Sequence, residues 1–228
     1  MRLLVILLTL TLPSMMMAEP AANRTCRIIF LKAPADAPTR LQLFDGVQSQ
    51  EVELPRMNFS PVVQISAATN TIFMLDRAIT DAKLLPVGSP QVAIGQQVKD
   101  FYLLVSPDPK NQIIPIRLQV VDASPQKFAK GHMMWFNLSE NLVSGKIGSQ
   151  VLKMAPGTKK LLDPPSNQLG EYGVLLNFQM KGEEKLYPLT QTRWRHDPES
   201  RAVIFIIKEP GSRTPRVMGF PDSRVPAK

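Results

Sequence analysis

The chain has 228 residues, of which 44% are hydrophobic and 20% charged, and this composition is typical of a folded globular protein rather than a disordered or fibrous one. Lysine and arginine outnumber aspartate and glutamate by 27 to 19, so the formal net charge is +8. The 21 prolines disfavour long helices, and the single cysteine excludes an intramolecular disulfide and a cysteine-ligated metal centre.

The first residues have the order of a secretory signal peptide. Arg2 is followed by an apolar stretch over residues 3–12 and then by small residues such as Ala18. Ten helical residues rise about 15 Å, half of the ~30 Å hydrocarbon core, so this segment is too short for a permanent anchor. We therefore predict cleavage after Ala18 and export to the periplasm or the extracellular space, with no transmembrane segment in the mature chain.

After the leader, short apolar runs alternate with turns that contain proline or glycine, which predicts strands. In the first half these are 27–31, 40–44, 51–54, 62–65, 71–75, 101–105 and 116–121. One helix is predicted over 76–85, cut short by Pro86. In the second half the predicted strands are 133–136, 151–154, 174–180, 186–194 and 202–207. The segment 145–149 is expected to be a turn. This pattern predicts an all-β, antiparallel β-sandwich protein with few or no long helices.

The domain organisation is predicted from composition and a weak repeat. We expect a signal peptide over 1–18, an N-terminal β-module over 24–96, a C-terminal β-sandwich module over 97–209 and a flexible basic tail over 210–228. The segment 40–45 matches 117–122 at an offset of 77 residues, which suggests a boundary near residues 95–100. Two related modules and a chance match both stay open, as do one domain and two.

Charge is distributed unevenly along the chain. Residues 27–122 carry nine basic and nine acidic side chains, whereas residues 123–228 carry sixteen and nine. Such a basic half favours polyanionic partners, for example an anionic glycan or an anionic envelope surface. The alternative is a solvated face that only aids solubility. Nucleic acid is not expected as a partner, because the chain is predicted to be exported and carries no motif for binding it.

The common motifs of catalysis and of metal or nucleotide binding do not occur in the sequence. We therefore predict no catalytic residues, no metal ligands and no cofactor. A triad or a carboxylate pair could still be assembled from distant residues, since geometry defines such sites. A hydrolase with a spatially assembled site, using carboxylates or His196 in a cleft, is thus the alternative to a non-enzymatic protein.

The best candidate for a binding site is the basic and aromatic segment Arg193-Trp194-Arg195-His196. Along a strand, Trp194 and His196 share one face and the two arginines share the other. One interpretation is a basic site with an aromatic platform for sugars or acidic groups. The other is a tryptophan buried in the sandwich with arginines in solvent. Lys159 and Lys160 add to the candidate basic surface.

Cys26 lies at the start of the first predicted strand. In an exported chain it could bridge two subunits, although a small buried apolar residue is the commoner role for a single cysteine.

Several landmarks in the second half resemble a family of exported, β-rich bacterial proteins of unknown function. They are Phe136-Asn-Leu-Ser139, Gly145-Lys-Ile-Gly148, Met154-Ala-Pro-Gly157, Pro164-Pro165, Arg193-Trp194 and 201–205. The resemblance covers about residues 100–220 and implies export and β architecture, without catalytic residues to transfer. Together these features favour an exported, non-enzymatic binding or structural module of the cell envelope that contacts a polyanionic surface through its basic C-terminal half.

Overall fold

The computed structural model describes residues 23–209 and 211–223. In this part of the chain sixteen strands form four four-stranded sheets, and the only helix is a single 3-10 turn, Ala82–Leu84. The prediction of an all-β protein built from packed sheets is therefore confirmed. No helix among the described residues has the length and apolar character needed to span a membrane. The predicted signal peptide lies outside the described residues.

The N-terminal module contains the first eight strands. They are β1 (Arg24–Phe30), β2 (Arg40–Phe44), β3 (Ser49–Glu53), β4 (Val63–Ile65), β5 (Thr71–Leu75), β6 (Gln91–Ala93), β7 (Asp100–Pro107) and β8 (Ile116–Asp122). Sheet A has the strand order β4-β1-β7-β8, and sheet B has the order β3-β2-β5-β6. Neighbouring strands are antiparallel except β1 and β7, which run parallel.

The C-terminal module contains the other eight strands. They are β9 (Met133–Leu138), β10 (Leu142–Ile147), β11 (Gln150–Met154), β12 (Lys159–Leu162), β13 (Gly170–Gln179), β14 (Leu186–His196), β15 (Arg201–Ile207) and β16 (Arg216–Asp222). Sheet C has the order β12-β9-β15-β16, and sheet D has the order β11-β10-β13-β14. Here β9 and β15 form the parallel pair.

The two modules have the same topology. Adding eight to every strand number converts sheet A into sheet C and sheet B into sheet D, and the parallel pair falls at the same place in both modules. Equivalent strands lie about 100 residues apart, as β7 begins at Asp100 and β15 at Arg201. The chain is thus a structural repeat. The sequence match at an offset of 77 residues joins β2 to β8, which are not equivalent strands.

The four sheets stack in the order B, A, C, D, with an apolar core between each pair of neighbours. Successive residues of a central strand point into two different cores. On β1, Ile28 packs toward sheet B and Ile29 packs toward sheet C. On β15, Phe205 packs toward sheet A and Ile204 toward sheet D. Because both faces of the central strands are buried, their sequences are continuously apolar.

Four sequence predictions differ from the structure. The strands β7 and β8 join sheet A, so the N-terminal module extends to Asp122 instead of residue 96. The predicted helix over 76–85 is only the turn Ala82–Leu84. The predicted turn at 145–149 begins inside β10. The predicted flexible tail contains β16, which pairs with β15 along its whole length.

Candidate ligand-binding cleft

A cleft of about 540 Å³ opens at one edge of the C-terminal module. Its walls are the end of β14 on sheet D and the strands β15 and β16 on sheet C. Sites for small molecules commonly have volumes of about 300–1,000 Å³. The cleft therefore has the size of a site for one or two sugar rings or a similar organic ligand.

The aromatic wall of the cleft is built on Trp194. Its indole stacks on that of Trp135, with ring centroids 5.7 Å apart and an interplanar angle of 6°. Trp135 is fully buried in the core, whereas Trp194 is half-buried and lines the cleft. Tyr172 packs edge-on against Trp194 from the paired strand β13. These contacts hold the indole in place as a rigid apolar platform.

His196 adds a buried polar atom to the same wall. Its side chain packs edge-on against Tyr172, and only 5% of the residue is exposed. Within the described residues its Nε2 atom is buried and has no hydrogen-bond partner. Buried polar groups are nearly always hydrogen-bonded, so this atom is an exception beside the cleft.

Tyr172 is held in its neutral form. Burial raises the pKa of its phenol to about 12, and its hydroxyl lies 3.4 Å from the Met133 sulfur. The phenol thus contributes an uncharged edge to the aromatic wall at physiological pH.

The rim of the cleft is basic. Arg193 and Arg195 alternate with Trp194 and are exposed on the outer face of sheet D, as the period of a strand requires. Arg193 forms an exposed ion pair with Glu171, its Nε lying 3.3 Å from Oε2. Among the described residues Arg195 makes no ion pair. Asp197 at the end of β14 is the carboxylate that also borders the cleft.

The repeat provides an internal comparison for this cleft. In the N-terminal module the equivalent edge strands β6 and β8 contact each other and cover that edge of the sandwich. In the C-terminal module the equivalent strands β14 and β16 stand on opposite sides of the cleft. β14 has eleven residues where β6 has three, and Trp194 and His196 lie at its C-terminal end. The cleft is therefore a feature of one copy and not of the shared fold.

The other two predicted binding residues lie elsewhere. Lys159 and Lys160 are on β12, at the edge of sheet C opposite β16. The Lys160 ammonium donates to the Val151 carbonyl oxygen at 3.3 Å. The structure thus brings Arg193, Trp194 and Arg195 to the cleft and does not bring the two lysines there.

Sequence reasoning missed Tyr172 as part of the site. It pairs with Trp194 across the β13–β14 hairpin, whose turn lies between the predicted strands 174–180 and 186–194. Counting back from this turn along both strands would have paired Tyr172 with Arg193. The register shift between Leu176 and Asn177 moves its partner by one residue to Trp194, and the sequence carries no signal for that shift.

Two groups that could serve hydrolysis, His196 and Ser200, line the same cleft. The Ser200 hydroxyl donates to the Arg201 carbonyl oxygen at 3.2 Å, and Asp197 accepts from the backbone N–H of Glu199 at 2.9 Å. A hydrolytic serine would instead donate to its general base. Within the described part of the chain, no three His, Cys, Asp or Glu side chains are grouped so as to hold a metal ion.

No family model matches the chain, and no curated protein is similar enough to it to count as a match. The assignment of a function therefore depends on the chemistry of the cleft.

Proposed function

We propose that the protein is an exported, non-enzymatic binding module of the cell envelope and that its cleft binds an acidic glycan. The observation that carries the proposal is the rigid, half-buried Trp194 indole in a cleft whose rim carries the two exposed arginines Arg193 and Arg195. An aromatic platform accepts the apolar face of a sugar ring, and guanidinium groups form bidentate hydrogen bonds with carboxylates.

Export and envelope location are supported by the leader sequence and by the resemblance to exported bacterial proteins. The positive excess of the C-terminal half also fits an anionic partner, since seven of the eight net charges fall in residues 123–228. The charge excess alone favours an anionic partner for the whole C-terminal half. The cleft offers one place in that half where such a partner could bind.

The test is a titration of the mature chain with a trimer of galacturonic acid. Binding is measured by tryptophan fluorescence and by calorimetry. We expect saturable binding that weakens as salt is raised, because exposed charge contacts are screened. Trp194→Ala should weaken binding at least about tenfold, equivalent to about 1.4 kcal/mol. The methyl-esterified trimer has the same rings without the charge and should bind more weakly.

The matched control is Lys159→Gln/Lys160→Gln, which removes two positive charges at the far edge of the module. We expect this variant to bind the trimer as the parent does. Equal losses in the lysine and tryptophan variants would show a diffuse charge effect and overturn the cleft as the site. An absence of binding at low salt would overturn the acidic-glycan proposal.

A hydrolase is the second candidate, and the observation that favours it is that His196 and Ser200 share the cleft. It predicts turnover of nitrophenyl esters or glycosides that is abolished by Ser200→Ala or His196→Gln. Turnover that persists unchanged in both variants would exclude these residues as a catalytic pair.

A further inference from the structure

A second concave surface lies on the outer face of sheet D and shares a residue with the cleft. It is a groove of about 520 Å³ that crosses the strands β10, β13 and β14. Its lining includes Lys146, Gly148, Gly173, Leu175 and Arg193, and we call it the outer groove. Because Arg193 also lines the cleft, the two surfaces meet at this residue.

The floor of the outer groove is largely bare backbone. The backbone N–H of Gly148 donates to the carbonyl oxygen of Gly173 at 2.8 Å, and Gly173 pairs with Arg193 on β14. A Cβ added at Gly173 would meet no atom within 4 Å, so the space above this strand is open. Leu175, two residues further along β13, is 42% exposed and adds an apolar patch. The groove therefore offers a surface on which a sugar ring can lie.

The outer groove is cationic. Lys146 on β10 and Arg193 on β14 lie on opposite sides of it, and none of the described residues that line it is a carboxylate. Their Cα atoms are about 12 Å apart, which is two strand spacings across the sheet and two residues along it. Arg193 pairs with Glu171 through Nε, whereas Lys146 makes no ion pair within the described part of the chain. One sugar ring is too short to reach both cations.

The repeat shows that the equivalent face is covered in the other module. Sheet B is the equivalent of sheet D, and on its outer face Phe44 and Leu75 are buried against Ile79. Ile79 belongs to the connection between β5 and β6, residues 76–90. The equivalent connection between β13 and β14 consists only of residues 180–185. The outer face of sheet D is therefore open where that of sheet B carries a segment of its own chain.

We propose that the outer groove is a second subsite for the acidic glycan, so that a chain longer than three sugars occupies both surfaces and crosses Arg193 between them. This inference rests on the function proposed for the cleft. Lys146 would bind a carboxylate of the glycan, since ammonium groups form strong hydrogen bonds with carboxylates. Sugar rings would lie over Gly173 and Leu175. A second subsite on the same ligand raises affinity because it is engaged at a high effective concentration.

Charge favours a glycan over a second copy of this chain as the occupant of this face. A twofold contact would place the same patch of sheet D on both sides of the interface. The outward-facing charged residues of its strands are Glu171 and four basic residues, Lys146, Lys153, Arg193 and Arg195. Like charges would therefore oppose each other across such a contact, which disfavours it.

The test compares the trimer of galacturonic acid with its hexamer in calorimetric titrations of the mature chain. A hexamer contains four overlapping trimers, and this alone would strengthen binding about fourfold. We expect the parent to bind the hexamer at least about twentyfold more tightly than the trimer, because the longer chain reaches the outer groove. Lys146→Gln should lower this ratio to about fourfold and should leave the affinity for the trimer unchanged.

Gly173→Val tests the same surface without a change in charge. Its side chain would stand in the outer groove, so we expect the ratio to fall as in Lys146→Gln. Retained binding of the trimer would show that the variant is folded. The matched charge control is Lys159→Gln, which removes one exposed positive charge from the edge strand β12 of sheet C. This variant should keep the ratio of the parent.

The outer groove and the cleft fail in different ways in this test. A ratio of about fourfold in the parent, or a higher ratio that persists in Lys146→Gln, would overturn the outer groove and leave the cleft. Hexamer binding without trimer binding, if lost in Lys146→Gln, would overturn the cleft and assign the glycan to the outer groove alone. A dimer in sedimentation equilibrium that dissociates in Gly173→Val would assign this face to a second copy and overturn the proposal.

Discussion

Arg201 on β15 donates to Asp222 on β16 with 3.1 Å between Nη2 and Oδ2, and both side chains are buried where the two modules meet. Arg27 from sheet A and the Tyr102 hydroxyl contact the same carboxylate. Asp100 from sheet A also reaches Arg201, at 3.5 Å. The four charges of this network cancel, and they connect β1 and β7 of one module to β15 and β16 of the other.

Asp222→Asn is expected to destabilise the protein strongly. It leaves the buried Arg201 and the partly buried Arg27 with Asp100 as the carboxylate of the network, and breaking a buried ion pair costs about 3–5 kcal/mol. The measurement is the free energy of unfolding in urea. The control is Glu51→Gln, which removes one exposed contact of Arg40 and should have little effect. Similar losses in both variants would contradict a structural role for the network.

Gly145→Ala is expected to disrupt sheet D. Gly145 lies in the middle of β10, where an added Cβ would overlap the Leu175 carbonyl and lie 2.9 Å from the Leu176 Cα. Because backbone atoms of a paired strand cannot move aside, we expect a loss of about 3 kcal/mol or more in urea unfolding. Gly173→Ala, in the paired strand, has open space for a Cβ and should change stability by no more than about 1 kcal/mol.

The contribution of Asp122 to stability should disappear in acid. Burial alone would raise the pKa of this carboxyl, but hydrogen bonds from Ser124 and Lys127 outweigh burial and lower it. A carboxyl whose pKa is lower in the folded state stabilises the protein when the pH is above its unfolded-state pKa of about 4. This stabilisation is lost as the pH falls through the folded-state pKa.

Urea unfolding of the parent and Asp122→Asn at several pH values checks this expectation. The difference between the two proteins should be full at pH 6 and should narrow below pH 4. The exposed Asp36→Asn serves as the control for general acid effects. A difference for Asp122→Asn that stays constant down to pH 2.5 would contradict the expectation.

The Cys26 thiol should be protected in the folded protein. The residue is fully buried in the core between sheets A and B, so we expect maleimide to label it only after denaturant is added. Lys159→Cys places a thiol on the exposed edge strand β12 and should be labelled at once. Fast labelling of native Cys26, or a covalent dimer on a non-reducing gel, would favour the subunit bridge considered from the sequence.

The strands that could be predicted are mainly those that are buried on both faces and those in which apolar and polar residues clearly alternate. β1, β7, β9 and β15 lie in the central sheets, so their sequences are continuously apolar. The missed strands lie mostly at sheet edges or contain glycine or proline. β10 contains Gly145, β12 begins with two lysines, and β16 contains Gly219 and Pro221. Edge strands tolerate such residues because one side of the strand is unpaired.

The candidate site could be predicted only in part. The alternation of Arg193, Trp194, Arg195 and His196 fixed which side chains share a face, because the side-chain period of a strand is two. It could not place Lys159 and Lys160 at the opposite edge, since strand order depends on pairing between distant segments.

The sequence by itself determined the all-β class, because closely spaced prolines exclude long helices and short apolar runs favour strands. It also determined most strand positions and the basic character of the second half. The tertiary structure decided the repeat, the module boundary after β8 and the stacking of sheet A on sheet C. It also decided that one copy has an open aromatic cleft. These features arise from contacts between residues far apart in the chain, and local periodicity carries no information about such contacts.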